Sequence, residues 1–176
     1  HGSPLDLTTE RCKQIRDYAA ERGLELCAMS ANNNFTSPVP EHIENELLTV
    51  REQIRLTKEL GAPVLRLFVA WRGVTFRNGI ATYETTAKHH TYYDSTDYEI
   101  RQRALKCFKE AAKWAEDAGV ILALQNHHPI IENYHDMLDF IDWVDSPYFK
   151  ACFDVPCLGW TPGMQDDAYV AQAVRD

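Results

Sequence analysis

A chain of 176 residues, 45% of them hydrophobic, suffices for one well-buried domain, and its formal charge of -8 with a pI near 5.3 argues against a nucleic-acid partner. No apolar run approaches the roughly 20 residues of a membrane span, so no membrane partner is expected. The opening HGSPLDLTTER has no signal-peptide character, and the scattered Cys12, Cys27, Cys107, Cys152 and Cys157 lack paired metal spacing, which fits reduced thiols in a cytoplasmic protein.

In chain order, Thr8 or Thr9 can cap a helix running to Arg22, with Ile15, Tyr18 and Ala19 on its buried face and Gly23 closing it. Leu24–Met29 reads as a strand and SANNNFTSPVP as a polar loop. A second helix is expected over Pro40–Leu60, with Leu47, Val50, Ile54 and Leu60 near one stripe, ending at Gly61. Val64–Ala70 follows as a strand, and Trp71–Asp94 as a long loop. The third helix, Thr96–Ala118, repeats Ile100, Ala104, Phe108, Ala111 and Ala115 at helical spacing and ends at Gly119. Val120–Leu124 is a short apolar strand. Asn133 can cap a helix carrying Met137, Phe140, Ile141 and Val144 on one face, stopped by Pro147. Phe149–Phe153 is a fourth strand, and Gln165–Arg175 a closing helix.

Three helices end at a glycine, each followed within three residues by an apolar strand. That alternation implies right-handed βαβ units and a parallel sheet, the α/β class. No linker divides the chain, so residues 1–176 are expected to form a single domain. Four strands are too few for a closed (β/α)8 barrel, and a dinucleotide fold would need a glycine-rich first turn. The chain therefore reads as the central part of a barrel, truncated at both ends, with edges at Leu24–Met29 and Phe149–Phe153 that another chain, such as a second copy in a homo-oligomer, can cover.

Chemistry in such folds sits at the carboxyl ends of strands. Two ends here are polar: Gln125, followed by Asn126, His127 and His128, and Asp154, with Cys157 three residues on. The two histidines are candidates for ligand, base or hydrogen-bond donor. Asn32, Asn33 and Asn34 offer amides for ligand hydroxyls or for turn formation. Trp71 and Arg72 end a strand with an aromatic face and a planar cation, which suit a sugar or carboxylate, or plug the mouth. His89–Tyr93 is a lid or a solvated loop, and Arg66, inside a strand, reads as an ion-pair partner at the barrel base.

The words GVILALQNHH and KACFDVPC, with ERGLELCAM and LTKELGAPVLRLF before them, resemble the sugar phosphate isomerase/epimerase superfamily, the xylose isomerase-like TIM barrels. In that register the chain holds strands three to six. The resemblance implies a divalent metal (Mn, Mg, Co or Zn) with Gln125 and Asp154 as ligands here and the remaining ligands outside this chain. It also implies a sugar substrate contacted by residues such as Asn32, Trp71, Arg72, Asn126 and Cys157. The family commonly has glutamate where Gln125 stands, and an amide has no basic form. A two-carboxylate epimerisation is thereby disfavoured. The expected function is a metal-dependent isomerase or epimerase abstracting a proton next to a carbonyl, with His127 or His128 as the imidazole. The alternatives are a lyase on the same scaffold (a dehydratase or C-glycoside-cleaving subunit) and a non-catalytic carbohydrate-binding relative. An abasic-site endonuclease, on a similar scaffold, is disfavoured by the acidic charge and the missing histidine ligands.

Overall fold

The structure, a computed structural model, describes residues 7–70, 75–77, 80–82, 95–128, 130–158 and 166–176, with backbone alone at 75–77, 80–82 and 157–158. Its centre is a four-stranded, all-parallel sheet of β1 (Ala28–Ser30), β2 (Val64–Leu67), β5 (Ile121–Gln125) and β6 (Phe149–Cys152), lying side by side in that order. Helices α1 (Thr9–Ala20), α2 (Pro40–Leu60), α3 (Asp97–Ala118) and α4 (Tyr134–Val144) alternate with the strands. The arrangement is that of an incomplete (β/α)8 barrel, with β1 and β6 at its two edges. Two elements were not expected: a hairpin of β3 (Thr75–Arg77) and β4 (Ile80–Thr82), and a turn of helix, α5 (Val155–Leu158). α6 (Asp167–Arg175) closes the chain.

Local chemistry explains the helix ends. Thr96 Oγ1 accepts the Glu99 N–H while the Glu99 carboxylate accepts the Thr96 N–H, and Asn133 makes the same reciprocal pair with Asp136. Gly61 and Gly119 stop α2 and α3 in the left-handed region, at φ 74° and 71°. α4 ends earlier than Pro147 implies, because Asp145 itself turns left-handed at φ 51°.

Strand parity divides the sheet into two faces. Met29, Leu65, Leu122 and Phe149, level with one another, are buried against the helices, as are Leu67 and Leu124. Phe108 of α3 is the hub of that core, with its ring centroid 5.4 Å from Phe35, 5.5 Å from Phe140 and 5.0 Å from Phe149. Ala28, Val64, Arg66, Ile121, Gln125 and Lys150 point to the other face and are partly or fully exposed. In a closed barrel that face is the interior.

Two expectations near the amino end fail for tertiary reasons. Tyr18 is 59% exposed, its ring covered by the Arg22 guanidinium at 3.4 Å, and Cys12 with Ala19 forms the buried face of α1 instead. The first strand begins at Ala28, and Leu24 is 63% exposed.

Candidate active site

The open face converges on the carboxyl ends of β5 and β6. Gln125 is the last residue of β5, level with Cys152 of β6, and Asp154 follows two residues later on the same side. The Gln125 amide Nε2 donates to Asp154 Oδ2. The two side chains are therefore adjacent, and both are partly exposed. One offers a carboxylate and the other an amide oxygen once the amide turns, a donor pair that fits a hard or borderline divalent cation. Among the described residues there is no group of three or more His, Cys, Asp or Glu side chains that could hold a metal.

His127 sits beside this pair. Its Nδ1 lies 2.7 Å from the His128 carbonyl oxygen. A carbonyl only accepts, so Nδ1 carries the proton and donates, which leaves Nε2 as the lone-pair nitrogen of the neutral ring. Burial holds the His127 pKa below the usual histidine range, against the opposing pull of that hydrogen bond and of Asp154. The ring stands edge-on to Phe68 at 4.8 Å. His128 contributes its carbonyl to this arrangement, and its side chain is half-buried.

Asn126 has a different task from the sugar contact expected of it. It is 3% exposed; its Nδ2 donates to the Asp154 carbonyl at 3.0 Å and its Oδ1 accepts the Asp154 N–H at 2.7 Å. Asn33 repeats the device two units earlier, donating to the Phe68 carbonyl at 2.6 Å and accepting the Phe68 N–H at 2.9 Å. Each asparagine clasps the end of the next strand as a further strand residue would. Asn34 shapes its own loop, its Oδ1 accepting from the Thr36 N–H and Oγ1. Asn32 lies half-buried beside them.

Three residues were passed over or misassigned by sequence reasoning. Arg66, expected at the barrel base, lays its guanidinium over the Phe68 ring, 4.1 Å from the centroid, and donates to Ser30 Oγ. The signal for its placement was parity: Arg66 alternates with the buried Leu65 and Leu67. Cys152 borders Gln125, and burial pushes its thiol pKa up. Glu46 of α2 is half-buried and accepts the Asn34 N–H at 3.1 Å, and burial raises its carboxyl pKa. Trp71, Arg72 and the His89–Tyr93 stretch lie outside the described residues, as does the side chain of Cys157.

A family profile described as "Xylose isomerase-like TIM barrel" matches residues 2–174. No curated protein matches the sequence. Among solved structures, the chain is similar to the 3-keto-D-glucoside 4-epimerase from E. coli at 14% identity and TM-score 0.74, over 96% of this chain and 60% of that one. It is similar to the D-psicose 3-epimerase of Clostridium cellulolyticum H10, solved with D-tagatose, at 16% identity and TM-score 0.70, over 95% and 55%. An L-ribulose 3-epimerase gives 16% identity and TM-score 0.69, over 93% and 51%. The chain thus spans little more than half the length of these structures, and at such identities the likeness concerns the fold.

Proposed function

The chain belongs to the xylose isomerase-like TIM barrel family, and from that premise we propose that it carries part of the active site of a metal-dependent sugar isomerase or epimerase. The observation that carries this reading is a neutral imidazole beside an adjacent carboxylate and amide at one mouth of a parallel sheet. Asp154 and Gln125 would hold the divalent cation, with further ligands beyond the described residues. When bound, such a cation polarises a carbonyl and its neighbouring hydroxyl.

The chain's own residues supply the rest. His127, kept neutral by burial, takes the proton from the carbon next to the carbonyl at Nε2, while the His128 carbonyl accepts from Nδ1 and holds the ring in that tautomer. Returning that proton to the neighbouring carbon, while the substrate's hydroxyl proton passes to the former carbonyl oxygen, completes an isomerisation with a single carbon base, which suits a site where Gln125 stands in place of a second. The Asn126 clasp fixes where Asp154 begins, and so where its carboxylate lies relative to Gln125.

The test is solvent exchange. Ketoses incubated with the protein and manganese in deuterated water should take up deuterium at the carbon beside the carbonyl, read by NMR. His127→Gln should slow that uptake about a hundredfold or more. A ketose panel with no uptake while the sugars still bind would favour the non-catalytic carbohydrate-binding alternative.

A further inference from the structure

We propose that Arg101, near the start of α3, is a positioning residue for the His127 imidazole, pinning from the helical layer the loop that carries the ring. The inference rests on the reading of His127 as the base and adds what holds that base in place. His127 and His128 lie in the loop 126–133 between β5 and α4. That loop is fastened at three places. At its start Asn126 clasps the Asp154 backbone. At its end Asp136 Oδ2 accepts the N–H groups of Glu132 at 2.9 Å and Asn133 at 3.2 Å. Between them, Arg101 Nη2 donates to the Ile130 carbonyl at 3.3 Å and to Asp136 Oδ1 at 2.8 Å, while Ile130 and Ile131 are buried in the core. The histidines therefore occupy a three-residue span between the Asn126 clasp and the Ile130 anchor. So short a span with both ends held has few conformations. The direction of the His128 carbonyl, which accepts from His127 Nδ1, thus follows from where Ile130 is held.

Arg101 is firmly set for this task. Its Nε donates to Asp97 Oδ2 at 2.7 Å, one turn back on α3, so the guanidinium fork meets acceptors on two helices and a loop. The Arg101 and Asp136 side chains are 17% and 15% exposed, against 59% and 47% for the surface pair of Lys13 and Asp17. Solvent screens the first pair much less, and a planar fork shared among fixed acceptors holds a geometry that a flexible ammonium does not. Reacting groups keep productive geometry only when the residues supporting them are themselves locked. Arg103 makes the corresponding contact on the other flank of α3, its Nη2 donating to the Thr36 carbonyl at 3.0 Å and to Ser95 Oγ at 2.9 Å. Thr36 belongs to the loop after β1, which does not carry the imidazole, so Arg103 provides a control of the same chemistry.

The experiment reads the ring first and the reaction second. In the metal-free protein, nitrogen NMR of the imidazoles, with His127 assigned by its loss in His127→Gln, should show one neutral tautomer protonated at Nδ1. A nuclear Overhauser contact should join that ring to Phe68. Arg101→Met keeps the apolar stem and removes the donors. It should spread the proton over both ring nitrogens and weaken the Phe68 contact. Deuterium uptake by the ketose with manganese should slow about tenfold or more, with the half-saturating ketose concentration within about twofold of the parent's. Arg103→Met should leave ring and uptake as in the parent. If Arg101→Met does not fold, Asp136→Asn takes its place: the amide oxygen still accepts the loop N–H groups, while the amide nitrogen faces the guanidinium and breaks the grip. His127 signals unchanged in the folded variant overturn the inference and leave the sugar reading standing. An equal disturbance in Arg103→Met overturns it too, as does undiminished uptake from a displaced ring or a parent ring already spread over both tautomers. An ordered parent ring with no deuterium uptake by any ketose removes the reading of His127 as base and this inference together.

Discussion

Replacing Gln125 by glutamate keeps the shape of the side chain and adds one negative charge against Asp154, which the present amide contacts directly. A bound divalent cation favours that charge; without metal the two carboxylates repel. Metal-bound stability should therefore rise in Gln125→Glu, while metal-free stability falls or stays level at neutral pH. Thermal melts of both proteins with chelator and with saturating manganese measure this; an equal metal increment in the two would remove Gln125 from the ligand set. Glu46 offers a pH test with the opposite logic. Burial raises its carboxyl pKa, opposed by the Asn34 N–H and by His42, so the folded state holds the proton longer than the unfolded chain. The stability linked to that proton is full below the unfolded value near 4.5 and is lost as pH rises through the raised folded value. Glu46→Gln should accordingly melt higher than the parent at pH 7, with the difference shrinking toward pH 4.

At the scale of elements, the two asparagine clasps are the most exposed to test. Each supplies two hydrogen bonds to the backbone of a neighbouring strand's end, at a nearly fully buried position. Asn33→Ala or Asn126→Ala leaves a buried N–H and carbonyl without that partner, a cost of about 1–3 kcal/mol each. Urea titration should show it as a lower midpoint at unchanged slope. These roles were not legible beforehand, because an asparagine after a strand reads equally as a turn former, a cap or a ligand. What was legible depended on short-range chemistry. Asn133 announced α4 as its cap, the spacing of Ile100, Ala104, Phe108, Ala111 and Ala115 announced α3, and α2 was readable over its full span from Pro40 to Gly61. The hairpin of β3 and β4 was missed although Asn78-Gly79 lies between its strands, since three-residue strands give almost no periodicity. The start of β1 was set too early because Leu24 and Leu26 look like strand interior, and only packing decides that they are not.

Over the whole molecule, the parallel sheet and its carboxyl-end mouth followed from the alternation of glycine-ended helices and apolar strands, whereas the contacts within the mouth depend on register between segments far apart in sequence. The open sheet also predicts an uneven stability. β2 and β5 are paired on both sides, while β1 and β6 each have one sheet neighbour among the described strands. Amide hydrogen exchange should be slowest in β2 and β5 and faster by at least tenfold at outward-facing amides of β1 and β6; uniform protection across the four strands would mean that something covers both edges. Phe108 ties α3 to three other rings, so Phe108→Ala should cost about 3–5 kcal/mol and lower the protection of every strand at once.

The clasps bear on how freely this scaffold can be re-engineered. A strand end fastened sideways by a buried amide does not rely on the loop beyond it for its position, so the loops after Phe68 and Asp154 are separable from the rim that carries them. Exchanging the residues that follow Ala70, or those that follow the Val155–Leu158 turn, should leave the spacing of Gln125, His127 and Asp154 intact. The rim would then act as a fixed socket, and sequence libraries placed beyond the two fastened strand ends should vary the protein's behaviour without touching the sheet.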